Sequence, residues 1–560
     1  MDRLVVWIIT LLLISPNLYL YSKNFVLQSL LLSLLTIVYL GAVIKSSRYL
    51  VMLYPVVLLV PFILFYIHYY ESNISEQVLG IIFETNWQEA LGFLGNRVYY
   101  YTAIFIIWII LITILFWYIY RHPVYWSHRS RWWIIISISL SIFTGVTANQ
   151  ILANEVDNSF ENISNNFLVE EKNGLVQELK QTYPLGLFVS FYDLYREQSK
   201  INEAFIKHQK FKFQASSLYD PQHEQTIILV IGETSRRANW QLNDYKRKTN
   251  PLLSSQKNII NFRDMIGVSN ATRSSIPMLL TRKPTEKVHD YDFSEKSIIS
   301  AFKEAGFATY WLSNQQKFGN YDTSTSVYAK EADHIKFLNK TNYSAQGETD
   351  EVVLPEFKKI LSQPDGKKFI IIHTLGSHFD YSHRYPLTFD VFKPSLNDLD
   401  IYNLQDSKYK EQLINSYDNS ILYTDYILNE VIETIKTQKQ TESFLLYSSD
   451  HGEDLFDGNC DKSGHGNETA YNFEIASFVW FSESFATQNP KKIQYLKSNQ
   501  DKKLDQTSIF PTLIDAANIN IPHYQLDRSI LNKWSYYPRF VMGSKDYDRS
   551  SQQGSCREIK

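Results

Sequence analysis

Ile227-Ile228-Leu229-Val230-Ile231-Gly232-Glu233-Thr234 is the stretch on which the fold turns. A short apolar run rich in β-branched residues reads as a strand. Gly232 lets the backbone turn tightly as that strand finishes, so Glu233 points into a crevice. An acidic residue after a strand is more often a helix cap, so Glu233 gains meaning only from its company. Strand candidates Thr226–Ile231, Ala308–Leu312, Lys368–His373, Phe444–Ser448 and Ala476–Trp480 alternate with helical stretches. That alternation predicts an α/β domain with a mainly parallel central sheet. In such sheets the ligand site lies beyond the carboxyl ends of the strands.

Several potential metal ligands sit at those ends. Ser449-Asp450-His451-Gly452-Glu453 follows the strand Phe444–Ser448 and offers an oxygen and a nitrogen ligand to one borderline metal such as zinc. A structural hydrogen bond between His451 and a neighbouring carboxylate is the plainer account of the dipeptide alone. His378 and His465 stand in Gly376-Ser377-His378 and Gly464-His465-Gly466, where glycine suits a ring closely approaching an ion or phosphate. A lone loop histidine is usually solvated; two, each downstream of a candidate strand, favour function. Asn270-Ala271-Thr272-Arg273-Ser274-Ser275-Ile276-Pro277 reads as a loop entering a helix with Pro277 in its first turn. A hydroxyl there meets free N–H groups and a positive dipole end, which favour an attacking alkoxide. An ordinary N-cap hydroxyl is the alternative.

Working outward to the N-terminus, five runs are long and apolar enough to span a bilayer, which takes about 20 helical residues. They are Leu4–Tyr21, Phe25–Ile44, Tyr49–Tyr70, Tyr101–Tyr120 and Trp132–Gln150. A cleaved signal peptide explains the first alone, not the four that follow. Lys45 and Arg48, then Arg121, Arg129 and Arg131, place two loops in the cytoplasm, with Lys23 a minor dissent. The N-terminus is then inside and everything after Gln150 outside. The expected organisation is a five-span transmembrane domain over 1–150, a helical linker over 151–217, and an extracytoplasmic catalytic domain over 218–560. In the linker, Leu185, Leu187, Phe188, Phe191, Tyr192, Leu194 and Tyr195 suit either a membrane surface or packing against the soluble domain.

The formal net charge of −3 over 560 residues gives no global basic field and argues against a nucleic-acid partner. Only two cysteines, Cys460 and Cys556, are present. Outside the cytoplasm they could pair, but a domain of this size does not need a bridge to hold its core.

The motifs together resemble the phosphoethanolamine transferase family of the alkaline phosphatase and sulfatase superfamily, over nearly the whole chain. They are Gly232-Glu233-Thr234-Ser235-Arg236 with Asn250-Pro251; Asn270 to Pro277; Gly376-Ser377-His378 with Arg384-Tyr385-Pro386; Tyr417-Asp418-Asn419-Ser420-Ile421; and Ser449 to Glu453. The resemblance implies that Glu233, Thr272, Asp450 and His451 hold a catalytic zinc and that Thr272 is the nucleophile. It implies that His378 and His465 contact the transferred phosphate or a second zinc. Thr85 and Glu89, in Glu84-Thr85 and Glu89-Ala90-Leu91, match the segment lining the ethanolamine pocket, although a short amphipathic helix explains that pattern equally well.

Two departures stand out. Val268 and Met278 occupy positions that are cysteines in the best-known lipid A-modifying members, and the stretch between His451 and His465 is longer. Trp311-Leu312-Ser313-Asn314-Gln315 and Gly464-His465-Gly466 look closer to members that modify core sugars or other glycans. The implied reaction is a two-step transfer from phosphatidylethanolamine, through a threonine intermediate, to lipid A, lipopolysaccharide core or another glycan, in the bacterial inner membrane. The competing readings are a membrane-anchored phosphatase or sulfatase, a glycerophosphotransferase and a non-enzymatic scaffold. Thr272 followed by Arg273-Ser274-Ser275 does not suit the Cys/Ser-x-Pro-x-Arg setting of a sulfatase.

Overall fold

The computed structural model describes residues 2–24, 27–70, 74, 79, 82, 97–140, 182–290, 293, 295–315, 324–339, 348–364, 366–399 and 402–560. The chain divides into two compact units, Met1–Thr85 with Arg97–Gln198, and Asn86–Asn96 with Ser199–Lys560.

The first unit is built on apolar helices α1 (Asp2–Asn24), α2 (Leu27–Ile44), α3 (Tyr54–Tyr70) and α4 (Arg97–Arg121). Their inward side chains form one core, with Ile9 and Leu13 of α1 against Val57, Val60 and Ile67 of α3 and Ile112 and Phe116 of α4. Among the described residues three helical stretches, not five, are long and apolar enough to cross a membrane: Asp2–Ser22, Ser47–His68 and Tyr99–Arg121. The expected second span is a shorter apolar helix, Ser29–Ile44. The expected fifth is helical over 130–140, and its second half lies outside the described residues. The two basic loops lie together. The Ser47 N–H donates to Val124 O at 2.9 Å and the Trp126 N–H to Lys45 O at 2.8 Å.

The linker interruption at Tyr183 also belongs to this core. Tyr183 is buried, its hydroxyl donates to Val56 O at 2.5 Å, and its backbone exchanges two hydrogen bonds with the Asn17 side chain. Helix α5 (Leu185–Lys210) follows at once. Its apolar run is divided: Leu187 is buried, while Phe188, Tyr192 and Tyr195 are exposed.

The second unit is organised by a seven-stranded sheet. Its strands are β1 (Gln225–Gly232), β2 (Ile259–Asn261), β3 (Ala308–Ser313), β4 (His334–Phe337), β5 (Lys367–His373), β6 (Glu442–Ser449) and β7 (Ser477–Phe481), in the spatial order β2-β7-β6-β1-β5-β3-β4. Strands β6, β1, β5, β3 and β4 pair in parallel, and β7 runs antiparallel to both β6 and β2. The central strands are buried throughout, with apolar middles, because both faces are covered. On one face Leu229, Phe369 and Leu446 meet Ile276 and Leu279 of α6 (Thr272–Leu280) and Leu513 of α8 (Ile509–Ala516). On the other, Ile228, Ile370 and Leu445 meet Tyr417, Ile421 and Leu428 of α7 (Lys410–Lys436).

Candidate metal centre

Parallel pairing of β1 with β6 in the register Gly232↔Ser449 brings two strand ends side by side. Glu233 leaves one and Asp450-His451 the other. The role expected of Gly232 is corrected here. A Cβ on it would come within 2.3 Å of Tyr447 Oη, so the residue makes room for a ring rather than a turn. The residue that needs glycine is Gly376, with φ +52 and a would-be Cβ 2.8 Å from Glu233 O and 2.9 Å from Glu233 N. This close approach lets the loop bearing His378 press against the backbone of Glu233, where the Ser377 N–H donates to Glu233 O at 3.0 Å.

Thr272 opens α6, with Ala271 in the extended N-cap position. Its hydroxyl lies 3.1 and 3.3 Å from the two Glu233 carboxylate oxygens and 3.3 Å from His451 Nε2. His451 Nε2 lies 3.4 Å from both Glu233 Oε1 and Asp450 Oδ2. The ligand atoms of Glu233, Asp450 and His451 fall within 4.8 Å of one another, and all three residues are buried. His451 Nδ1–H donates to Gly452 O at 2.9 Å, which turns Nε2 toward the cluster.

The charges of this cluster depend on one another. Burial works against the Glu233 charge, yet the His451 hydrogen bond and the positive charges of His378 and His451 hold its carboxyl well below the ordinary carboxylate range. Burial, then the Glu233 charge, push Asp450 up to about 6. His451 is raised to about 10: burial opposes its charge, but the Asp450 and Glu233 carboxylates outweigh it. Two buried carboxylates thus call for positive charge at the point where Nε2 sits. Asp450 Oδ2 is buried with no hydrogen-bond partner, an arrangement a carboxylate oxygen tolerates when it ligates a cation. Two carboxylates, an imidazole nitrogen and a hydroxyl are a donor set that fits zinc.

The remaining histidines lie alongside. The His465 ring centroid is 4.6 Å from that of His451 and 5.8 Å from that of His378. The longer stretch after His451 folds back as a short antiparallel pair, Ser463↔Leu455 and Gly464↔Asp454, which returns His465 to the site. It is tied down by a disulfide between Cys460 and Cys556, a pairing that the sequence leaves open. Val268 and Met278 pack with Val288 in a small buried apolar cluster. Thr85 and Glu89 lie outside the described residues.

Three site residues carry no role in the sequence reading. Buried Glu453 takes the Tyr381 hydroxyl at 2.5 Å on one oxygen and sits 3.2 Å from His465 Nδ1 with the other. Gln315 Nε2 donates to Thr374 O at 2.8 Å and reaches Glu233 Oε2 at 3.4 Å. Asp350 accepts from the N–H groups of Leu375 and Gly376 and from Asn314 Nδ2, fixing the His378 loop from behind. Gln315 carried one usable signal, since it stands just past the end of β3.

Residues 225–519 match the family described as Sulfatase, and they hold every ligand of the cluster. The chain belongs to the sulfatase family. Among its relatives, Phosphoethanolamine transferase EptC of Escherichia coli (strain K12) is 27% identical over 511 residues, covering 86% of this chain and 82% of that protein. Phosphoethanolamine transferase CptA of Salmonella typhimurium is 27% identical over 497 residues, with the same coverage. The crystal structure of the C-terminal periplasmic domain of Escherichia coli EptC in complex with zinc superposes with a TM-score of 0.53 at 27% identity, covering 60% of this chain and 95% of that one. The integral membrane protein EptA from Neisseria meningitidis shares the fold over 95% of this chain and 99% of its own, with a TM-score of 0.68 at 18% identity.

Proposed function

We propose that this sulfatase-family protein is a zinc-dependent phosphoethanolamine transferase of the bacterial inner membrane. Phosphoethanolamine would pass from phosphatidylethanolamine to Thr272 and then to an envelope acceptor such as lipid A, lipopolysaccharide core or another glycan. The observation that carries this reading is the Thr272 hydroxyl, set at a helix N-terminus within 3.3 Å of both Glu233 and His451. The names of the full-length relatives support the group transferred, and the zinc complex of the EptC domain supports the metal.

Glu233, Thr272, Asp450 and His451 would hold the zinc, which supplies a Lewis acid that makes the threonine hydroxyl a better nucleophile and balances phosphoryl charge. Thr272 Oγ1 forms a bond to phosphorus as the bond to the diacylglycerol oxygen breaks. The N-terminal dipole of α6 favours the anionic oxygens gathered at that point. His378 or His465 donates a proton to the leaving oxygen. An acceptor hydroxyl or phosphate then attacks the same phosphorus and Thr272 leaves. His378 and His465 would contact the transferred phosphate or a second ion, with Glu453 beside His465.

The anchor is assigned five spans with a cytoplasmic N-terminus and a periplasmic catalytic unit, from the basic residues of the two paired loops. The exposed aromatic side of α5 would lie at the membrane surface, and Thr85 and Glu89 would line the ethanolamine pocket on resemblance alone.

Mass spectrometry of the purified full-length protein after incubation with zinc and phosphatidylethanolamine tests the reading. A phosphoethanolamine adduct is expected on Thr272, absent with chelator and absent from Thr272→Ala. Unconsumed lipid without an adduct, or transfer retained by Thr272→Ala, would overturn it.

A further inference from the structure

Thr234 has backbone geometry that its residue type disfavours. It is fully buried and holds φ at +58, in the left-handed region. A β-branched residue there is a true outlier, and glycine or asparagine would adopt the same backbone far more readily. Such strain persists only where the surroundings over-determine it.

Those surroundings are specific. The Thr234 N–H donates to Asp450 Oδ1 at 3.0 Å, its hydroxyl donates to Glu233 Oε1 at 2.9 Å, and its carbonyl accepts from the Tyr417 hydroxyl at 2.7 Å. Asp450 Oδ1 also accepts the His451 N–H at 2.8 Å. That oxygen is therefore taken by two backbone donors, and the unpartnered one is Oδ2. One residue grips both acidic ligands, one through its main chain and the other through its side chain. Glycine would keep the first grip and relieve the strain, but only a hydroxyl-bearing residue supplies the second.

We propose that Thr234 is a positioning residue for the metal centre, its strained backbone selecting Asp450 Oδ2 and its hydroxyl fixing Glu233 for the cation. The proposal rests on the zinc reading of the site. Partners one step removed from a metal typically change affinity about 10- to 100-fold when lost.

The test is zinc affinity, measured by chelator competition on the full-length protein in detergent, with thermal melting of the metal-free protein measured alongside. Thr234→Val keeps the shape and removes the hydroxyl, and is expected to weaken zinc binding about 10- to 100-fold. Thr234→Ser restores the hydroxyl and is expected to bind close to wild type. Thr234→Gly is expected to melt no lower than wild type without metal, yet to bind zinc more weakly. Wild-type affinity in Thr234→Val, or affinity equally poor in Thr234→Ser, would overturn the role of Thr234 alone. A wild-type protein that binds no zinc would instead overturn the metal reading beneath it.

Discussion

Reducing the Cys460–Cys556 bridge should lower the stability of the catalytic unit without dismantling it. The bridge closes a loop with a sequence separation of 96. In the chain-entropy account, opening a loop of that size restores about 4.7 kcal/mol of conformational freedom to the unfolded chain. The native side changes little, because the C-terminal hook is held by other bonds as well. The Ala470 N–H donates to Arg557 O and the Ile559 N–H to Glu468 O, both at 2.9 Å, and Lys462 pairs with Glu558 at 2.8 Å. At ~2.1 cal/mol/K per residue, a segment the length of Ser199–Lys560 unfolds with an entropy of about 0.76 kcal/mol/K, so the melting temperature should fall by about 6 °C. Circular dichroism melts of the detergent-solubilised protein with and without reductant, set beside Cys460→Ser/Cys556→Ser, measure this. The double variant should melt where the reduced wild type does and ignore reductant. A wild type whose melting temperature reductant leaves unmoved would refute the reasoning.

Gly376→Ala should cost about 2–4 kcal/mol, since it adds left-handed strain to contacts under 3 Å with the Glu233 backbone. Transferase assays should lose more than stability does, because the His378 loop must lift; an active, fully stable variant would contradict the close approach. Glu474 binds Arg557, Arg237 and the Tyr547 hydroxyl. Burial works against its charge, but those partners outweigh it and hold the carboxyl below the ordinary glutamate value of 4.5. A depressed folded pKa contributes stability above 4.5 that disappears as pH falls through the lowered value. Glu474→Gln should therefore be about 2–3 kcal/mol less stable at pH 7 and show a shallower acid limb in urea melts at stepped pH. Parallel wild-type and variant curves would count against the clamp.

What the sequence could disclose followed burial. Strands β1, β5 and β6 are apolar on both faces, so their runs are unbroken and legible, and the ligands at their ends come with them. Edge strand β4 is mostly exposed and carries His334 and Lys336, so no periodicity marked it, and β2 has only three residues. Burial does not encode direction either, which left β7 to be found antiparallel. Residues whose role comes from distant neighbours were the least legible. Glu453 and the cysteine pair mean nothing until the fold-back of Asp454–Leu455 on Ser463–Gly464 and the C-terminal hook are in place, and Gln315 offers only its place past the β3 end. The second span expected from hydropathy forms a shorter apolar helix, Ser29–Ile44, and half of the fifth lies outside the described residues.

The register Gly232↔Ser449 has a consequence for how the protein acquires its metal. Glu233 and Asp450 are neighbours only because β1 and β6 lie adjacent in the finished sheet, and of the ligands only Asp450 and His451 share a short segment. A nascent or unfolded chain offers only that dipeptide to an ion, unlike a zinc finger, whose folding is the binding event. The sheet buries its own apolar core without help from an ion, so the fold is expected to be complete before any metal binds. Stripping it should return an empty but folded protein, one that can be stored inactive and charged again at will.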